Sequence, residues 1–243
     1  MSEANERRVL GAVRFRDAVT QLDVTAPLRV TAPGVRWMRN LRGWYVAANA
    51  PGLETHTFSI DKPPAQPAAG KVPVALAAED PTGTYLPRRA LLTLPRDPDP
   101  AKKDNASSLF APAEVDLFPA PAAPTMPGWA VLRVTLMTKA GKPAAGALLR
   151  VVRKGASGEL LGRGMTDARG EALVAVAGIP VTTWDDEGQT GVLATEVDAR
   201  LEAHYTPAAA AAGDIDALAK LKPAATQEVK LASGRTMTVK LTV

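Results

Sequence analysis

The chain of 243 residues contains no cysteine. Disulfides, cysteine-ligated zinc and thiol nucleophiles are therefore excluded outright. Histidine is nearly absent too: His56 and His204 are the only two, and neither has sequence neighbours that would complete a histidine-rich metal site. No Gly-x-Ser-x-Gly elbow, phosphate-cradling glycine loop or paired catalytic acids can be read. Ser59, Ser107, Ser108, Ser157 and Ser233 all fall at turns or strand ends. No stretch approaches the roughly 20 apolar residues of a membrane helix. The polar run Met1 to Arg8 lacks an apolar segment behind it, so no signal peptide is expected. These absences predict a non-enzymatic protein with no catalytic residue, bound metal or cofactor, with the cytoplasm as its default location unless it is exported as part of a larger particle.

Aromatic residues make up only 5% of the chain, so Val, Leu and Ala must fill its interior. The apolar fraction of 46% is that of a globular protein. With 21 prolines and 19 glycines, short strands and many turns are favoured over long helices. A formal net charge of +4 is mild, and the basic residues are not gathered into one long stripe as in a typical nucleic-acid binder.

A strand-and-turn pattern occurs twice. In the second copy Ala130 to Thr138 alternates like a strand, Gly141-Lys-Pro143 turns it, and Ala147 to Val152 returns. Thr166-Asp167-Ala-Arg-Gly170 then feeds a further strand. In the first copy Val13 to Asp17, a bend over Thr20 to Thr25, and Leu28-Arg-Val30 precede Asn40-Leu-Arg-Gly43-Trp-Tyr-Val46. The expected fold is all-β: two tandem antiparallel β-sandwich domains joined by a Pro-rich strap, with one short helix near the C-terminus. The expected boundaries are a disordered leader over 1–8, a first sandwich over 9–96, a strap over 97–128 and a second sandwich over 129–243.

Val72-Pro-Val-Ala-Leu76 and Leu91-Leu-Thr-Leu94 read as further strands of the first domain, with Pro73 confined to a strand start or sheet edge. In the second domain, Val197 to Tyr205 alternates apolar and polar with period two, which predicts a half-buried strand with His204 on its polar face. Met237, Val239, Leu241 and Val243 repeat that pattern, and Ser233-Gly234 predicts a hairpin back to Val229-Lys-Leu231. Ile215, Leu218 and Leu221 are one turn apart, predicting the helix over 214–222.

The succession of Gly141-Lys-Pro143, Ala147 to Val152 and Thr166-Asp167-Ala-Arg-Gly170 resembles the carboxypeptidase regulatory-like, or transthyretin-like, β-sandwich over residues 129–243. The first domain is similar to a degenerate relative, with Asn40 where Asp is usual and no Gly-x-Pro turn. Arg39-Asn-Leu-Arg-Gly-Trp-Tyr-Val46, Tyr85-Leu-Pro-Arg-Arg89 and Val115-Asp-Leu-Phe-Pro119 also resemble, in arrangement, accessory proteins of bacterial contractile injection systems, the phage-tail-like particles. That resemblance implies a structural component of such a particle, not a catalyst; the partners expected are other proteins, those of the particle among them, or a second copy of the chain.

The residues expected to form an interface are Arg36, Trp37, Arg39, Arg42 and Trp44, with Phe110 and Phe118 from the apolar parts of the strap. Arginine and tryptophan are favoured interface anchors. Basic and aromatic interleaving also suits single-stranded nucleic acid, while Trp44, following the turn glycine, also fits a core position. Asp185-Asp186-Glu187 beside Gly188 is the one cluster with the hard ligands a cation needs, but it lacks the alternating spacing of a calcium loop and reads as a solvated turn. The alternative function is a carbohydrate- or surface-binding module, which would show a planar row of exposed aromatics.

Overall fold

The computed structural model describes residues 8–58, 64–155, 158–186, 189–194 and 196–243, with the backbone alone over 181–186 and 189–194. Residues 1–7 of the expected leader, Ser59, Ser157, Glu187 and the side chains of Asp185 and Asp186 lie outside the described residues, while Arg8, the last residue of that leader, is ordered, its N–H donating to the Thr57 carbonyl at 3.0 Å. The fold is all-β, in two compact units.

The first unit comprises the described parts of Met1–Asp17, Leu22–Pro81 and Pro87–Leu117. Its strands are β1 (Gly11–Asp17), β2 (Arg29–Thr31), β3 (Arg36–Arg39), β4 (Tyr45–Asn49), β5 (Val72–Glu79), β6 (Arg88–Leu94) and β7 (Ala113–Leu117), with a short helix α1 (Glu54–Phe58). One sheet runs β3-β4-β1-β7 and the other β2-β5-β6. The alternation in β1 buries Val13 and Phe15 and leaves Arg14 and Arg16 on the opposite face. Phe15 meets Tyr45 edge to face at 5.7 Å between ring centroids, a favoured arrangement for aromatic quadrupoles. The Tyr45 hydroxyl accepts from the Leu28 N–H at 2.6 Å and donates to the Leu28 carbonyl at 2.8 Å, satisfying a buried polar group. Val74, Leu76, Leu92 and Leu94 bury the inward face of the other sheet. Pro73 is tolerated in β5 because β2 pairs only with Ala77 to Glu79, leaving β5 a local edge at the proline.

The second unit contains Ala18–Gln21, Thr82–Leu86 and the described parts of Phe118–Val243. Its strands are β8 (Ala130–Met137), β9 (Leu148–Arg153), β10 (Leu160–Met165), β11 (Glu171–Val176), β12 (Val181–Asp186), β13 (Gln189–Ala194), β14 (Val197–His204), β15 (Ala225–Leu231) and β16 (Thr236–Thr242). Sheets β10-β9-β14-β15 and β11-β8-β16 share one buried core of Leu132, Val134, Leu149, Val151, Val174, Leu201 and their neighbours. β12 and β13 form a separate hairpin. A Cβ on Gly162 or Gly164 would stand 2.8 or 2.7 Å from a carbonyl oxygen of β11, so only glycine lets β10 lie this close to the opposite sheet.

The two units carry the same strand plan. The first strand of each, β1 or β8, lies between an antiparallel strand entered from a tight corner, β4 or β11, and the last strand, β7 or β16. That last strand is parallel to the first, a departure from the all-antiparallel expectation. The second sheets correspond as β2-β5-β6 and β9-β14-β15, all antiparallel.

Several local expectations change. Ser233-Gly234 is a turn between sheets, not a hairpin: β15 pairs with β14, and β16 with β8. Near the C-terminus there are two helices, α2 (Pro207–Ala212) and α3 (Ile215–Lys220). Thr206 and Asp214 cap their N-termini through side-chain oxygens, and Gly213 at φ 68° ends α2. Ile215 and Leu218 of α3 pack with Phe118, Leu148 and Ala18 in a second core. The end of β14 is consequently buried on both faces, and His204 is 2% exposed, with Nδ1 at 2.9 Å from the Leu221 carbonyl oxygen.

The stretch 97–128 is structured along its length. Asp99 caps a 3₁₀ turn over Pro100–Lys102, and Ala113 to Leu117 form β7. Phe118 then enters the core of the second unit.

Candidate functional site

β3 is an edge strand among the described residues: it pairs with β4 on one side and with no described strand on the other. An open edge offers unpaired backbone donors and acceptors to an incoming strand. Trp37 and Arg39 stand opposite Ala47 and Tyr45, so they share the inward face of β4. Met38 stands opposite Val46 on the other face. At the rim Trp37 is half-buried and Arg39 reaches past the core to donate to the Thr25 carbonyl.

The corner from Asn40 to Trp44 positions the rest. The Asn40 side-chain oxygen accepts from the N–H of Arg42 at 3.0 Å and of Trp44 at 2.9 Å. Gly43, at φ 84°, supplies the left-handed residue the corner needs. Leu41 at the tip is fully exposed, and Met38 is 48% exposed. The Arg42 guanidinium lies 5.4 Å from the ring centroid of Trp44, within cation–π range. Trp44 is half-buried, and its indole N–H donates to Asp23 at 3.3 Å. The aromatic that fills the core after the corner is Tyr45, one residue later, because register places Tyr45 opposite Val13.

The charges here differ from those of the adjacent strands. Arg14 and Arg16 of β1 are compensated by Glu114 and Asp116 of β7 and by Asp23, with Arg16–Glu114 at 2.9 Å. Arg36, Arg39 and Arg42 form no ion pair among the described residues, and all three are exposed. The result is an edge strand and corner carrying three uncompensated cations around exposed Met38 and Leu41.

Five of the seven expected interface residues are thus brought together. The other two are not. Phe110 is 57% exposed, in the loop before β7. Phe118 is 1% exposed and is a core residue of the second unit, so it is withdrawn from the interface. Its apolar neighbours Leu117 and Pro119 gave no means of telling a docking strap from a core strand.

Elsewhere, Asp97 and Asp99 organise their own loop. Asp97 accepts from Lys102 at 2.9 Å and from the Asp99 N–H at 3.0 Å, and the Lys102 bond leads in holding its carboxyl below the usual range. Glu202 lies between Arg200, at 2.8 Å, and His204, at 3.5 Å. Among the described residues no group of three or more metal-ligating side chains is placed to hold an ion, and no helix is long and apolar enough to cross a membrane.

No protein-family model and no curated protein matches the chain. Among solved structures it is similar to GBS52, the minor pilin of Streptococcus agalactiae, at 11% identity and a TM-score of 0.26, covering 84% of this chain and 65% of that one. It is similar to the Bacillus anthracis TIE protein at 10% identity and a TM-score of 0.28, covering 100% of this chain and 41% of that one. A third is the shaft pilin SpaA of Lactobacillus rhamnosus GG, at 10% identity and a TM-score of 0.21, covering 97% of each chain. The chain spans less than two thirds of the length of the first two.

Proposed function

We propose that this chain is a non-enzymatic adaptor that docks a partner protein along the β3 edge and the Asn40 corner, as a structural component of a contractile injection particle. The observation that carries the docking reading is the coincidence, on one open edge strand, of uncompensated Arg36, Arg39 and Arg42 with exposed Met38 and Leu41. Open backbone groups bind an extended partner segment, apolar side chains supply buried area, and the arginines select an acidic surface. The particle assignment rests on the sequence resemblance and places the working site at a protein–protein junction within the assembly.

The test is purification of particles from the native host with wild-type protein and with Arg36→Glu/Arg42→Glu. Arg39 is spared because it tethers the corner to Thr25. The wild type is expected to travel with particle proteins and the double variant to be lost from them at unchanged melting temperature. Equal retention of both removes this edge as the docking site. A chain that never sediments with particles removes the particle assignment.

A further inference from the structure

Arg96, two residues past the end of β6, is 7% exposed. Its Nε donates to the Ser108 carbonyl at 2.9 Å, one terminal nitrogen donates to the Ala106 carbonyl, and its backbone N–H donates to the Leu10 carbonyl at 2.8 Å. A guanidinium has five N–H donors, so these two carbonyls leave others to be used. No carboxylate pairs with Arg96 among the described residues. Desolvation by burial pushes its pKa below the ordinary arginine value. A buried cation whose partners among the described residues are neutral carbonyls is an arrangement that a counter-ion would stabilise.

Beside it lies a pocket of about 280 Å³ within the first unit. Leu10, Pro95 and Leu109 give it apolar walls, Arg8, His56 and Arg96 give it polar ones, and among the described residues no Asp or Glu lines it. His56 is 3% exposed, and its Nδ1 has no partner among the described residues. That volume is of the size that takes a small organic molecule. Concave apolar walls with a few convergent polar groups are the usual composition of a small-ligand site.

We propose that this pocket binds a small apolar carboxylate, whose oxygens meet the Arg96 guanidinium and whose apolar body lies between Leu10 and Leu109. Charge-assisted pairing selects the carboxylate over a neutral group of the same shape, and the apolar walls select against free phosphate or sulfate. The same chemistry is offered by a free organic acid and by the C-terminal residue of a peptide. The site is separate from the β3 edge and does not depend on the docking reading.

The probes are benzoate, with benzyl alcohol as its neutral counterpart, and acetyl-leucine, with acetyl-leucinamide. Each is titrated into the full chain and followed by methyl NMR and calorimetry. An acid is expected to saturate at millimolar concentration, to shift the methyls of Leu10 and Leu109, and to bind at least about tenfold more tightly than its neutral counterpart. Preference for acetyl-leucine over benzoate assigns the pocket to a peptide terminus, and the reverse assigns it to a free acid. Leu109→Trp, which fills the pocket and leaves Arg96 in place, abolishes binding, and Arg96→Met erases the preference for the charged probe. The ligand comparison and Leu109→Trp remain decisive if Arg96→Met does not fold. Absence of saturable shifts with both acids, equal binding of acid and neutral probe, or unchanged binding to Leu109→Trp overturns the proposal.

Discussion

Asn40 and Asp167 hold the same corner of the same strand plan in different units. Each places a side-chain oxygen on the N–H groups two and four residues further on: Arg42 and Trp44 for Asn40, Arg169 and Glu171 for Asp167, all at 2.8–3.0 Å. Each corner then has a left-handed glycine, Gly43 or Gly170, before the strand that pairs with the unit's first. The amide and the carboxylate do the same geometric work, but only the carboxylate titrates.

That difference sets a pH dependence. Burial pushes the Asp167 carboxyl upward, but the N–H groups of Glu171 and Arg169 and the Arg169 side chain outweigh it, and the net shift is downward. A depressed folded-state pKa contributes stability that is complete above the unfolded value, about 3.9, and is lost as pH falls through the folded value. Asp167→Asn should therefore fold with the corner intact, as Asn40 demonstrates, and lose less stability between neutral pH and pH of about 3 than the wild type. Asp167→Ala removes both backbone bonds and should cost about 1–3 kcal/mol at neutral pH. Urea midpoints at the two pH values measure this; an Asn variant as acid-sensitive as wild type contradicts it.

The glycines of the two corners are not equally constrained. A Cβ on Gly170, at φ 75°, would collide with the Leu136 carbonyl oxygen and crowd the backbone of Pro143 and Ala144. A Cβ on Gly43 would have as its nearest neighbour, at 3.3 Å, the Arg39 terminal nitrogen that donates to Thr25, with Thr25 and Val24 backbone atoms in ordinary contact at 3.8 and 3.9 Å. Gly43→Ala should cost the left-handed strain, about 1–2 kcal/mol, and a small shift of that nitrogen. Gly170→Ala should cost clearly more, and Gly170→Val more again. Equal melting temperatures for the two alanine variants would remove the collision as the cause.

Tyr45→Phe keeps the ring against Phe15 and deletes the hydroxyl that both accepts from and donates to Leu28. It leaves a buried N–H and C=O without that partner, at a cost of about 1–3 kcal/mol. A variant as stable as wild type in urea would show that the hydroxyl is replaced by solvent.

Phe118→Ala should destabilise the second unit by about 3–5 kcal/mol, the range for emptying a buried phenylalanine site. The docking proposed for the β3 edge should be unaffected wherever the variant remains folded. For the same reason a fragment of residues 118–243 should melt well above one of residues 129–243, which lacks the phenylalanine packed on Leu148, Ile215 and Leu218. Coincident melts would place Phe118 outside the folding unit.

The corners were legible in the sequence because their chemistry is local. Asn-x-x-Gly and Asp-x-x-Gly each close within five residues, and the alternation of β1, β14 and β16 marks a buried face without reference to a partner. The basic and aromatic cluster was legible for the same reason, since Arg36 to Trp44 are strand, corner and strand in succession. Partnership between distant segments was not. The parallel last strand, the turn at Ser233-Gly234 that changes sheets, and the burial of Phe118 and His204 depend on backbone bonds and contacts between segments far apart in the chain. An apolar alternation shows that a strand needs a neighbour and leaves open which one. The burial of Arg96 was not legible either, because it follows from carbonyls ten and twelve residues away. Sequence by itself determined which residues turn and which alternate; only the tertiary structure decided which strands meet and which charges are left uncompensated, because pairing and desolvation are set by what packs alongside.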